Sequence, residues 1–202
     1  MKWNKLGLIY GPQQGEDWKK KFVMLPTPIR INKDVLRIFV GFAGTDNVGR
    51  IGYVDVKSDN PINVLSVSKE PVLDRGEKGT FDDNGVVPIS VLKKGNEIWL
   101  YYIGFQLGVQ VPYYMFCGLA ISRDNGNSFV RYSKAPILDR TNDELYARCG
   151  VNVIFDDKLK RYRMWYIGSY EQGWTMSQGK LKPLYIMKTT ESPDGLNWGG
   201  VK

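Results

Sequence analysis

The chain has no histidine and only two cysteines, Cys117 and Cys149, which leaves carboxylates, guanidiniums and aromatic rings to do any chemistry. A histidine-activated nucleophile is excluded. The two cysteines lie in strand-like text without metal-ligand spacing, so neither a zinc site nor a disulfide framework is expected. No metal and no cofactor are predicted. The acids fall in suggestive places: Asp82 and Asp83 stand in FDDNG before one apolar run, and Asp143 and Glu144 stand in NDELYARCG before another, with Arg148 close behind. Glu16 and Asp17, next to Trp18, precede a third run. Two carboxyl groups drawn from separate segments can divide acid and base roles in a proton transfer. A guanidinium supplies a planar fork of donors for paired oxygens. Both kinds of group act only if the fold brings those segments together.

A repeat shows how the fold does so. PVLDRGEKGTFDDNG at 71–85 returns as PILDRTNDELYARCG at 136–150, and the texts that follow, VPISVLKKGNEIWLYYIG and VNVIFDDKLKRYRMWYIG, share a strand, a charged turn, an aromatic strand and a terminal Ile-Gly. A weaker copy, PIRINKDVLRIFVGF, precedes them at 28–42. Each unit then adds a strand ending in a polar turn: KSDN, RDNG and ESPDG. Short strands rich in Val, Ile, Tyr and Trp, split by Gly, Asn and Asp turns and repeated at a fixed period, predict an all-β propeller of four-stranded blades. No stretch has a 3.6-residue apolar period long enough to demand a helix.

The expected domain is a single, incomplete propeller over 1–202, with blades at about 22–80, 81–145 and 146–202. Residues 3–12 would then be an outer strand closing the last blade. Three blades are too few to close a ring. The arrangement therefore implies missing C-terminal blades or self-association, by which a second copy supplies the closing strand; a β sandwich with a fortuitous repeat is the alternative. The formal charge of +7 is spread singly over turns, which argues against a nucleic-acid partner. No apolar run is long enough for a membrane span and no signal peptide is evident, so a cytoplasmic location is expected. The aromatic strands, with Trp99, Tyr101, Tyr102, Trp165 and Tyr166, are predicted to be core.

These blade texts resemble the five-bladed β-propeller glycosidase group, glycoside hydrolase family 43 with its relatives in families 32, 62 and 130. The residues that carry the resemblance are FDDNG before VVPISV, the strands IWLYYIG and YRMWYIG, and the turns AISRDNGNSF and TTESPDGLNW. They cover about three blades. The resemblance implies glycosidic bond hydrolysis or transfer at an axial funnel, where the inner strands begin, with a saccharide as ligand. Hydrolysis needs two carboxyl groups flanking the bond, one donating to the leaving oxygen and one activating water. On that reading Asp83 and Glu144 are the acid pair, Asp17 is the candidate base, and Arg148, Asp82, Trp18 and Asn152 bind substrate. The first blade departs from the pattern, because FVMLPTP at 22–28 holds no acid where the group places its aspartate base. The alternative is a non-catalytic sugar-binding or scaffold propeller. Asp82 and Asp83 read equally well as turn residues of Asp-Asn-Gly, Arg148 as a structural bridge and Trp18 as packing. Asp124 and Asp194 are read as capping their own hairpins, followed by a glycine at positive φ.

Overall fold

Gly, Asn and Asp turns cut the chain into short antiparallel strands, and the computed structural model describes them over residues 2, 4–12 and 15–199, with Val151 described by its backbone alone. The first blade is β1 (Phe22–Arg30), β2 (Val35–Ala43), β3 (Gly49–Lys57) and β4 (Val64–Val67), hydrogen-bonded in that order. The second is β5 (Val86–Lys94), β6 (Glu97–Leu107), β7 (Tyr113–Ser122) and the short β8 (Val130–Arg131). The third has three strands among the described residues: β9 (Ala147–Asp156), β10 (Arg161–Ser177) and β11 (Lys180–Ser192). Adjacent blades meet through a parallel contact at the same corner. Gly49 pairs with Gly85 between the first two, and Met115 and Phe116 pair with Ala147 and Arg148 between the last two. Each contact fixes the point at which an inner strand enters. The molecule is thus all-β and built as part of a propeller.

Burial explains why the aromatic strands differ in wording. The second blade lies between two others, so both of its faces are covered and β6 can be apolar throughout. Ile98, Leu100 and Tyr102 pack with Phe39 and Ile51 of the first blade, while Trp99 and Tyr101 pack with Tyr162, Met164 and Tyr166 of the third. Strand β10 covers one neighbour only and therefore alternates. Tyr162, Met164 and Tyr166 are buried, and Arg161, Arg163 and Trp165 face the other way. Trp165 is half-buried beneath the Arg163 guanidinium, 5.5 Å from its ring centroid, so it is not the interior residue that its aromatic neighbours suggest.

The hairpin turns also join the blades. Asp124 accepts hydrogen bonds from Ser122 Oγ (2.6 Å) and from the Asn127 and Ser128 amides (both 3.0 Å), with Gly126 at φ +82°. Asp194 repeats the pattern with Ser192, Leu196 and Asn197. Arg37 of the first blade holds Asp55 through two 2.8 Å bonds and reaches across to the Asn125 carbonyl and the Asn127 side chain. Within the expected 3–12 outer strand, Trp3 lies outside the described residues. Residues 4–12 form no strand, and Ile9 and Tyr10 pack on the first blade against the cluster of Val40, Phe42, Val54 and Val56. That apolar face draws the segment away from the third blade. No helix among the described residues is long and apolar enough to cross a membrane.

Candidate functional site

Two buried carboxylates occupy matching places in the second and third blades, and each sits over a glycine that leaves room for it. In the second blade Asp82 is fully buried. Its Oδ2 accepts from Tyr102 Oη (3.0 Å) and Arg131 Nε (2.7 Å), and Thr80 Oγ1 lies 2.8 Å from Oδ1. In the third blade Glu144 Oε2 accepts from Tyr166 Oη (3.1 Å) and lies 2.9 Å from Arg148 Nε. Tyr102 and Tyr166 are the tyrosines of the repeated Tyr-Ile-Gly. A methyl group on Gly104 would lie 2.5 Å from Asp82 Cβ, and one on Gly168 would lie 2.1 Å from Glu144 Oε1. The two arginines also bind equivalent loops. Arg131 donates to the Asp74 carbonyl and Arg148 to the Asp139 carbonyl, each in a Leu-Asp-Arg text. Burial, followed by the charge of the nearby carboxylate, raises the hydroxyl pKa of both Tyr102 and Tyr166.

The two clusters differ where function would need them to. Asp82 is sealed in, with both oxygens engaged. Glu144 is one methylene longer and gains a second cation, Lys188, whose Nζ is 3.1 Å from Oε1. Neither Glu144 Oε1 nor Arg148 Nε completes a well-aligned hydrogen bond, although both are buried. Buried polar atoms left in that state are costly, and here ion pairing offsets the cost, Arg148 Nε with Glu144 Oε2 and Lys188 Nζ with Oε1. Lys188 also lines a cleft of about 590 Å3 between residues 142–146 and the β10–β11 hairpin, together with Asp143, Tyr146, Tyr170, Glu171 and Trp174. Tyr146 and Trp174 pack with ring centroids 4.8 Å apart, and Tyr113 and Tyr185 extend the group with their hydroxyls 3.2 Å apart.

The other residues singled out in the sequence lie elsewhere. Asp83 is half-buried and spends Oδ2 on the Gly79 amide (2.9 Å), as a turn residue would. Asp17 belongs to a short 3-10 turn, is exposed, and pairs with Lys20. It lines a separate cavity of about 270 Å3 with Trp18, Asp46, Arg50 and Asp74. Trp18 stands edge-on to Phe42 at 5.1 Å and donates to the Lys69 carbonyl, so most of its ring is used in packing. Asn152 is exposed on β9 and accepts from Ser90 Oγ at 3.3 Å. The inner strands β1, β5 and β9 converge on a cavity of about 280 Å3 that is lined by Leu25, Pro26, Thr27, Pro88, Ile89 and Gly150 and carries no charge. The structure therefore brings Glu144 and Arg148 together and keeps Asp17 apart from them. Sequence reasoning missed Tyr146, Tyr166, Trp174 and Lys188. The Tyr-Ile-Gly glycines, which have no positive φ to explain them, were the signal that a side chain lies against each strand.

The layout has counterparts among solved structures. A family 117 glycoside hydrolase from the marine bacterium Zobellia galactanivorans superposes with a TM-score of 0.63 at 15% identity, over 94% of this chain and 48% of that one. An exo-1,5-α-L-arabinanase from a bovine ruminal metagenomic library gives 0.64 at 12% identity, over 100% and 64%. The chain has, in part, the fold of a glycosidase-type β-propeller. A member of the family 130 mannoside phosphorylases and hydrolases shares this propeller at a TM-score of 0.62 and 13% identity, over 95% of this chain and 55% of that one. No family model matches the sequence. Two uncharacterised proteins of Mycobacterium tuberculosis, from strains CDC 1551 / Oshkosh and ATCC 25618 / H37Rv, are each 36% identical over 200 residues, or 98% of this chain. The propeller described here spans 64% of the length of those curated relatives.

Proposed function

We propose that the chain binds a saccharide in the cleft between residues 142–146 and the β10–β11 hairpin, as the sugar-recognising part of a carbohydrate-active propeller. One observation carries the reading: a cleft of about 590 Å3 with Tyr146 and Trp174 in its wall and Lys188 bridging it to the buried Glu144. Aromatic rings offer a flat apolar surface to the C–H face of a sugar, and a few fixed polar groups orient its hydroxyls. Lys188 supplies donors, and Glu144 offers an acceptor once Lys188 turns toward ligand. Hydrolysis or transfer would need a second carboxyl about 5–9.5 Å from the first. Asp143 and Glu171 are the acids that line the same cleft. Asp83 and Asp17 are engaged elsewhere, so neither supplies that second carboxyl.

Calorimetric titration tests the proposal with β-1,2-mannobiose, α-1,5-arabinobiose and sucrose-6-phosphate, saccharides matched to the family 130 proteins, to the arabinanase and to a Lactobacillus gasseri sucrose-6-phosphate hydrolase of similar fold. Wild type binds at least one of them. Lys188→Ala and Trp174→Ala each weaken it about tenfold or more, equivalent to about 1.4 kcal/mol, while Asp83→Asn leaves it unchanged. Sugar release that disappears in Glu144→Gln would extend the reading to hydrolysis. Binding that ignores both cleft substitutions, or no binding of any of the three, would refute it.

A further inference from the structure

The β10–β11 hairpin is longer than its blade requires, and its ladder breaks part-way along. Its base is paired in register from Tyr162↔Ser192 to Ser169↔Tyr185, and its outer part from Trp174↔Pro183 to Ser177↔Lys180. Residues 170–173 on β10 face Leu184 alone across the break. A bulge of this kind leaves backbone groups unpaired and bends the strand. The Tyr146 hydroxyl sits in the break, accepting from the Tyr170 amide (3.1 Å) and lying within donor reach of the Gly173 (2.6 Å) and Leu184 carbonyls. One phenol thus takes up the loose ends of both strands. Tyr146 is itself anchored: its amide and that of Ala147 donate to Ser169 Oγ (3.2 and 3.0 Å), and its carbonyl accepts from Met115 (2.9 Å). Its ring also packs on Trp174, the residue at which the outer ladder begins.

We propose that Tyr146 is a positioning residue, whose hydroxyl pins the outer half of the hairpin at the bulge and so sets where the Trp174 wall stands over the cleft. The pin rests on geometry alone; that the wall meets a saccharide rests on the function proposed above. Beyond Tyr146, Trp174 meets Tyr113 at 6.3 Å between centroids and packs against the cluster that includes Met115, Ala147 and Cys149, contacts at the root of the arm that leave its tip unheld. Loss of the hydroxyl should therefore release the arm and leave the blades unchanged.

Hydrogen exchange read by mass spectrometry on the ligand-free protein tests the pin directly. In Tyr146→Phe, amides of residues 174–182 should exchange about tenfold faster or more, while those of β5, β6 and β7 keep wild-type rates. Wild-type rates throughout, or acceleration spread evenly over all blades, would overturn the proposal. Should Tyr146→Phe fail to fold, replacing residues 174–183 with Asn-Gly keeps the question open to test. The blades should then retain their wild-type exchange, and the tightest of the three saccharide probes should bind about tenfold more weakly or worse. Full binding without the arm would overturn its role as a wall. If wild type binds none of the probes, the exchange result still decides the pin, so failure of the functional reading and failure of this one are separable.

Discussion

Adding one methyl group at each of the two matched glycines tests whether Glu144 serves the cleft while Asp82 only packs. In Gly168→Ala the new Cβ would lie 2.1 Å from Glu144 Oε1, with Lys188 Cδ next at 3.2 Å. The atom in the way is the tip of a flexible side chain, so the carboxylate swings aside by about 1 Å to restore van der Waals contact. That movement stretches the 2.9 Å Arg148 and 3.1 Å Lys188 contacts. At an effective dielectric of about 20, lengthening one such contact from about 3 to about 4 Å loses about 1.4 kcal/mol. The two together set a cost of about 1–3 kcal/mol. In Gly104→Ala the methyl meets Asp82 Cβ and the Phe81 ring, both at about 2.5 Å, and neither can swing away. Overpacking of a rigid core costs about 1–3 kcal/mol and occasionally more, and this site, with two close contacts that cannot relax, falls at the upper end. Urea denaturation combined with saccharide titration gives the readout. Gly168→Ala should lose affinity about tenfold or more with a modest loss of stability, and Gly104→Ala should lose stability first. Equal destabilisation of the two variants, with saccharide affinity intact in Gly168→Ala, would refute the distinction.

Two further outcomes follow from the packing and the turns. Trp99→Ala should destabilise by about 3–5 kcal/mol, because it opens a cavity between the second and third blades, whereas Trp165→Ala on the half-buried face should cost about 1 kcal/mol or less in the same denaturation assay. Asp124 sets an acid limit. Burial pushes its carboxyl upward, but hydrogen bonds from Ser122, Ser128 and the 127–128 amides outweigh that and hold it at about 2, below the ordinary 3.8. A carboxyl depressed in the folded state stabilises above its unfolded pKa and loses that contribution as pH falls through its folded one. Wild type should therefore lose this component of stability between about pH 4 and pH 2. Asp124→Asn should remove that component from the pH profile of the melting temperature.

The blade plan was readable because a fixed period, Gly/Asn/Asp turns and β-branched runs all encode the same strands. The turn aspartates were equally plain, since Ser-x-Asp-x-Gly and its close variants specify a local hydrogen-bond set. The site was only partly legible. Successive residues of a turn point to different sides, and residues 81–84 are a turn, so FDDNG did not say which of Asp82 and Asp83 faces inward; the partners that decide it, Tyr102 and Arg131, are distant in sequence. Trp165 shows the same limit, since an aromatic residue in a one-sided blade can fall on either face. The text of residues 169–184 joins no repeat. Its extended hairpin depends on a bulge closed by Tyr146, which no local periodicity signals. Glu144 and Arg148 were singled out because the repeat pointed to the entrance of an inner strand, but their mutual pairing is tertiary.

A crystal of the protein soaked in the tightest-binding of the three saccharides would show where the sugar sits. The sugar ring should lie against Tyr146 and Trp174, with a hydroxyl in hydrogen-bond reach of Lys188 Nζ. A sugar seated in the uncharged axial cavity or beside Asp17, or a cleft left empty by a saccharide that binds in solution, would contradict that placement.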